Sequence, residues 1–527
     1  MKTKIFLILL FICTLGFGQQ NSEEYIELKN ANQLTGVLYN GVKANLLEGN
    51  VKVYHDGTNM SCKKAYLFGE MNNFDAFGSV VIRNDDGMTV YGDSLFYNAS
   101  TRIAKLRGNV RVVKDGMVIN TNYLDYDTQH QTALYFGGGK IRDNGTYLES
   151  QSGFYDSKQA FYSFKGDVLV TKQGYKIESD TLKYAQGTEK AFFFGPTNIY
   201  TQDKHLYTEW GIYLTQEEKG WFSKNAWVES ETYKLSGDSL YYDNKMDYGY
   251  AIKNVEIISY EQDATIYGDV AVKEGYKNKS TVFGHTLMVD RGETDTTYIS
   301  ADTLVSVEDT TGRSNIFAYR NVKILQGELS GLCDSMIYRG TDSTISLYYD
   351  PILWNANTQI VADSILVKMA FGSVRKMLGY QNSFLISQSL IDTSRFDQIK
   401  GRNIVAYFDQ NEFVQLDVDG NAESIYYAYN EEDALIGVNN VLCSEMKMYL
   451  VNNNMDNIRF YDRPIAKFVP PHKTTEQDVI LYGFDWQAER KPSQEQLYQT
   501  LSGRQAVDKG QLQIPENLRF INELMQE

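Results

Sequence analysis

The chemistry-bearing side chain that recurs in this chain is a carboxylate. It heads Asp93-Ser94-Leu95-Phe96-Tyr97, Asp180-Thr181-Leu182-Lys183-Tyr184 and Asp238-Ser239-Leu240-Tyr241-Tyr242, with shorter echoes from Asp302, Asp334 and Asp363. General acid and base work needs two groups of unlike environment at one place. One aspartate per unit along a chain is not that arrangement. His55, His130, His205, His285 and His472 have no second His, Cys or clustered acid at metal-ligand spacing. Ser61-Cys62-Lys63-Lys64 holds an S-x-x-K without the motifs that accompany a serine acylase. Asn84-Asp85-Asp86-Gly87 and Asp417-Val418-Asp419-Gly420-Asn421 fall short of a twelve-residue calcium loop and read as hairpin turns. The residues present point to no enzyme, no metal and no cofactor.

The elements that carry the aspartates explain the recurrence. Counting by twenty-nine gives Tyr39, Phe68, Tyr97, Tyr126, Tyr155, Tyr184, Tyr213 and Tyr242, aromatic at every step. A fixed period of this size marks a repeat architecture. Gly57, Gly87, Gly116, Gly145 and Gly174 keep step as turn residues. An apolar residue after a Gly-Asn-like pair recurs as Val51, Val80, Val110, Ile141, Val168, Ile199, Val228 and Val255. Within one unit, Val110 and Val112 alternate with polar neighbours, Asp115-Gly116 is a tight-turn signal, and Val118 to Tyr126 alternates again. Each unit therefore holds two or three strands. Residues i, i+2 and i+4 of a strand share a face, which places Asp93 with Leu95 and Tyr97, and sets Leu124, Leu182 and Leu240 beside the tyrosines.

The chain has 527 residues with 39 Tyr, 41 Gly and only 7 Pro, a strand-and-turn composition. Its net charge of −16 argues against nucleic acid. Residues 1–18 read as a secretory signal peptide: Lys2 and Lys4, an apolar run from Ile5 to Leu15, then Gly16-Phe17-Gly18 before Gln19. The alternative is an uncleaved anchor. Cys62, Cys333 and Cys443 then remain, spaced as buried small residues rather than as a disulfide frame. The strict period holds over 19–260. From 261 to 469 the same motifs recur with longer loops, such as 291–297 and 308–314. Residues 470–527 form a proline-containing tail with two short helices. One is capped by Ser493 and Gln496, the other follows Pro515.

With the Gly49-Asn50-Val51 and Gly108-Asn109-Val110 phrases, the run from Ile177 to Tyr184, and Gly420-Asn421-Ala422-Glu423-Ser424, the chain resembles the OstA-like family of LptA-type periplasmic proteins. The resemblance implies an all-β fold, an elongated antiparallel V-shaped β-jelly roll open along one side. It implies an exported, periplasmic protein, associated with the outer membrane, that shields the acyl chains of lipopolysaccharide or a related glycolipid. Its implied partners are other lipopolysaccharide-transport proteins, paired through edge strands near 34–54 and 440–465, or further copies joined head to tail. On that reading Tyr39, Phe68, Tyr97, Tyr126, Tyr155, Tyr184, Tyr213, Tyr242, Leu95, Leu124, Leu182, Leu240, Val110 and Val112 line a lipid groove. The alternative is a structural or adhesive β-solenoid with a closed, packed core.

Overall fold

A computed structural model describes residues 25–502, apart from 86, 186–187, 189, 293–294, 310–312, 371–372, 410–411 and 452–453. The signal-peptide segment and the helix expected after Pro515 lie outside the described residues. The chain divides into two compact units, one of residues 1–173 with 181–188, the other of 174–180 with 189–527. Both are built of antiparallel strands.

In the first unit β1 (Glu27–Asn30) and β2 (Gln33–Tyr39) lie end to end along β3 (Val42–His55) and form one edge. The meander continues through β4 (Thr58–Phe68), β5 (Asn73–Asn84), β6 (Thr89–Asn98), β7 (Ile103–Lys114), β8 (Met117–Asp127), β9 (Thr132–Asp143), β10 (Thr146–Asp156) and β11 (Phe161–Lys172), each paired with the next. One twenty-nine-residue unit is thus two strands. Asp115 (φ 47) and Gly116 (φ 88) close the β7–β8 hairpin with both central residues left-handed, a turn whose twist suits paired strands.

Every second strand, β3, β5, β7, β9 and β11, is creased at its middle. In β7 the pairing to β8 jumps from Arg107↔Tyr123 to Val110↔Thr121, two residues facing one. The extra residues are Gly108 (φ 76) and Asn109 (φ 47), both left-handed. Gly has no Cβ to oppose that conformation and Asn tolerates it best among the others. Such a bulge leaves its own strand in phase and shifts the inside–outside alternation of the strand it faces. In β7 Leu106 and Val110, four apart, are both buried and Asn109 is exposed, whereas in β8 Thr121 and Leu124 are both buried although three apart. The sequence assigned Gly420-Asn421 to a hairpin turn, and the structure places it inside the strand Glu412–Tyr429 as another crease. Gly137 to Gly139 likewise lie within β9 rather than ending it.

The second unit continues the meander up to Leu329–Arg339, where four short strands, Thr344–Tyr348, Ile352–Asn355, Thr358–Val361 and Ser364–Ala370, replace two long ones. Long creased strands resume from Ser373–Gln388 to Leu435–Val451. Its core runs along one face, from Met288 and Ile299 through Leu353, Ile365 and Leu385 to Met446. After Val469, the segment 470–502 carries two helices, α1 (Glu476–Val479) and α2 (Gln494–Ser502). The expected cap of α2 is present: Ser493 N donates to Gln496 Oε1 and Gln496 N to Ser493 Oγ, both at 3.2 Å.

Candidate functional site

The crease gives each repeated residue type a place. On one side of it lies the arm ending in the Asp-Gly turns, on the other the arm ending in the longer connections. The repeated acid and the repeated Asn meet at the crease. Asn109 Nδ2 donates to Asp93 Oδ2 at 2.7 Å, Asn254 to Asp238 at 2.9 Å, Asn321 to Asp302 at 3.1 Å and Asn382 to Asp363 at 3.0 Å. His285 and Asp269 make the same contact at 2.6 Å. The aspartate column is a clasp that fixes the left-handed residue of the next strand. Asp93 is exposed, not on the face of Leu95 and Tyr97, because the pairing of β6 shifts between Tyr91 and Ser94. This corrects the sequence reading, which counted parity straight through a bulge.

Opposite the bulge sits a column of small residues that sequence reasoning missed. Cys62 pairs with Val51, Gly92 with Val80, Thr121 with Val110, Cys333 with Val322 and Cys443 with Ala422. Each partner is the first residue past a bulge. Space there is short: a Cβ on Gly92 would sit 3.3 Å from Leu106 Cδ2. The side chains that do fit turn their hydrogen to the carbonyl two residues on. Thr208 Oγ1 donates to Trp210 O at 2.6 Å, Ser150 Oγ to Ser152 O at 2.9 Å, Cys62 Sγ to Lys64 O at 3.3 Å and Cys443 Sγ to Glu445 O at 3.2 Å. The cysteines are thiol versions of this Ser/Thr position. They are free and buried, and burial pushes the Cys62 thiol up to about 11 and Cys333 to about 12. The signal was the same count of twenty-nine, applied to Gly92, Thr121, Ser150, Ser179, Thr208 and Gly237.

The face between the arms is apolar. Leu95, Leu124, Leu182, Leu240, Val110 and Val112 are all buried, as are Phe68, Tyr97 and Tyr126. Tyr39, Tyr155, Tyr184, Tyr213 and Tyr242 are half-buried. The apolar position expected at Ile199 and Val228 is half-buried; the fully buried residues beside the crease are Thr197 and Ala226. A further buried column, also missed, repeats at the same interval: Leu106, Tyr135, Phe164, Phe193 and Phe222. Glycines make room for its rings. A Cβ on Gly153 would lie 2.3 Å from Tyr135 and one on Gly211 2.8 Å from Phe222.

Two of the periodic tyrosines reach from one arm to the tip of the other. Tyr97 OH lies 2.8 Å from His55 Nδ1, and Asn84 Nδ2 donates to Tyr126 OH at 2.8 Å. His55 and Asn84 are the last residues of their strands, beside the tight turns. The rings thus pack inside while the hydroxyls meet polar groups beside the tight turns, as an amphipathic ring prefers. Among the described residues no group of three His, Cys, Asp or Glu is placed to hold a metal ion, and no helix is long and apolar enough to cross a membrane.

Part of the chain is similar to known proteins. No curated protein matches the chain. One solved structure similar to it is LptH of Pseudomonas aeruginosa, described as the LptA-homologous periplasmic component of the lipopolysaccharide transport device. It is 21% identical over 20% of this chain and 81% of that one, with a TM-score of 0.19. Residues 23–180, the stretch that holds β1 to β11 with their creases and tyrosine rungs, match the model of the OstA-like protein family.

Proposed function

We propose that this is a non-enzymatic periplasmic protein that binds the acyl chains of lipopolysaccharide, or of a similar acylated glycolipid, between its arms and passes them toward the outer membrane. The observation that carries this reading is the in-register apolar face that repeats from rung to rung, with the Tyr97 and Tyr126 hydroxyls held by polar groups beside the turns. Equivalent rungs offer an acyl chain equivalent sites, and burying it is worth ~0.8 kcal/mol per CH₂. The groove residues are those of the tyrosine and leucine columns, with the Tyr135–Phe222 column added to them. The OstA-like match over 23–180 supports the assignment, and together with the signal-peptide pattern it supports a periplasmic location. The change of repeat spacing near 260 marks, on this reading, the passage from a regular to a looser array.

A second reading has its own support. Leu95, Leu106, Ala65 and Ala104 have no exposed surface, and the Tyr97 and Tyr126 contacts tie the arms together. A closed interior of this kind suits a structural or adhesive array. The two readings part on one experiment. The protein is purified after export, its lipid is extracted and identified by mass spectrometry, and a photoreactive residue is placed at Leu124. Acylated glycolipid in the extract and crosslinked to position 124 supports the carrier. A folded protein with neither establishes the closed array.

A further inference from the structure

The second unit carries a feature that lipid carriage does not use. Strands of the first unit bury one face and show the other to water. In the second unit Thr286-Leu287-Met288-Val289, Ile352-Leu353-Trp354 and Phe384-Leu385-Ile386 are buried on both faces. Met288, Leu353 and Leu385 belong to the core. Leu287, Trp354 and Ile386 point the opposite way, and what covers that opposite face is the chain's own segment 475–502.

The segment is held by its main chain. Gln398 Nε2 donates to Val479 O at 2.8 Å and its Oε1 accepts from Leu481 N at 2.8 Å. Gln359 repeats the device, donating to Asp485 O at 2.7 Å and accepting from Gln487 N at 2.8 Å. Each carboxamide reads the C=O of one residue and the N–H of the second residue on, as a neighbouring strand would. Both side chains are out of water, at 0% and 1% exposure. Trp354 Nε1 fixes Gln359 by donating to its Oε1 at 3.0 Å. A buried carboxamide needs partners, so these two positions are built to meet a peptide main chain. Lys400 Nζ adds a bond to Tyr482 O at 2.9 Å, and Lys491 Nζ one to Ala356 O at 2.8 Å. Side chains are read at three places: Val479 and Leu481 against Ile425, Tyr427 and Val438; Phe484 and Trp486 against Phe396; and Leu497 against Leu287 and Val289.

The hold is discrete rather than continuous. The segment forms no strand ladder with the sheet, and only Asp478, Pro492 and Leu497 of its described residues are fully buried. Tyr482 is 91% and Ile480 44% exposed. Elements with few buried apolar side chains open at low cost. We infer that this outer face of the second unit is a docking channel for a peptide segment, and that residues 475–502 are its exchangeable occupant, carried in cis. A copy of the same segment from another molecule satisfies the same four amide contacts.

The test uses the full chain with a protease site inserted between His472 and Lys473, both exposed. After cleavage the segment should remain bound through gel filtration. An excess of dye-labelled synthetic peptide of residues 475–502 should then replace it, with circular dichroism unchanged. Gln359→Ala with Gln398→Ala should speed that exchange by about tenfold or more. A scrambled peptide should not compete. A segment that never exchanges, or one that leaves and is not replaced by the labelled peptide, overturns the proposal. So does loss of the fold on cleavage, since the segment is then part of the core. None of these readouts involves lipid, so they are independent of the cargo.

Discussion

At the crease, single residues carry the fold. Asp93 holds Asn109 in a left-handed conformation by one charge-assisted bond at the surface. Asp93→Ala should therefore cost about 1 kcal/mol in urea unfolding. Gly108→Ala should cost more, about 1–2 kcal/mol, because φ is +76° and the new Cβ would lie 2.6 Å from Asp93 Oδ2. The double substitution should cost less than the sum, since removing Asp93 clears the clash. The cysteines obey the same local rule. Cys62→Ser keeps size and hydrogen, and should lie within about 1 kcal/mol of the parent, while Cys62→Leu should unfold more easily by about 1–3 kcal/mol. With its thiol pushed up to about 11, Cys62 should resist alkylation at neutral pH until the protein is unfolded. Asp397 supplies a pH dependence. Burial raises its carboxyl from 3.8 to about 6, against a bond accepted from Tyr427 N. A raised folded value means the stabilising, neutral form is complete below the unfolded value of 3.8 and is lost as pH rises through about 6. Asp397→Asn should thus match the parent near pH 4 and exceed it at pH 8 by on the order of 1–2 kcal/mol. Equal stability at both pH values would show that the carboxyl is not strained.

At the scale of the strand, the bulge does what no single side chain does: it decides the face. Alternation runs in phase through Gly108-Asn109, but the halves of the facing strands β6 and β8 are out of phase. Small residues then gather opposite each bulge, and glycines gather under rings. Tyr135 lies across Gly153 and Gly139, with its hydroxyl 2.5 Å from Ser150 Oγ. Gly153→Ala puts a carbon where the ring stands, and should cost about 1–3 kcal/mol by overpacking. Tyr135→Leu should relieve the same strand, so the pair of changes together should be milder than Gly153→Ala alone. Additive losses would mean that the ring and the glycine do not share the space. The turns, by contrast, were legible at once, since Asp115-Gly116 has the composition that a tight hairpin demands.

For the whole molecule, the edges matter most. β1 and β2 are exposed along their length, and Leu34 and Leu38 of β2 are 54% and 73% exposed. An edge strand with open N–H and C=O groups accepts another strand. The expectation near 34–54 is therefore carried by residues 33–39, with Val53 buried at 1% behind them. A photoreactive residue at Leu38 should capture a partner or a second copy in cells, whereas one at Val53 should not. Capture at both positions alike would mean that the edge is not the docking element. At the other end Ile465 and Phe468, 69% and 53% exposed, offer the comparable strand.

The sequence by itself determined the period, the strand-and-turn composition, the hairpin glycines, the cap of α2 and the column of tyrosines. Each of these is local: a turn, a cap or a recurring residue is specified within a few positions, and repetition makes it visible. Tertiary structure decided which way side chains point and what they meet. Asp93 left the face of Leu95 because a bulge changed parity, and parity cannot be counted through an insertion whose place is unknown. Gly420-Asn421 looks like a turn in composition, since left-handed residues serve a hairpin and a crease equally well. The buried Cys62, Cys333 and Cys443 became equivalent only when strand pairing set each beside the first residue past a bulge. The amides of Gln359 and Gln398 lie more than eighty residues from the main chain they hold, a separation that only the folded chain closes.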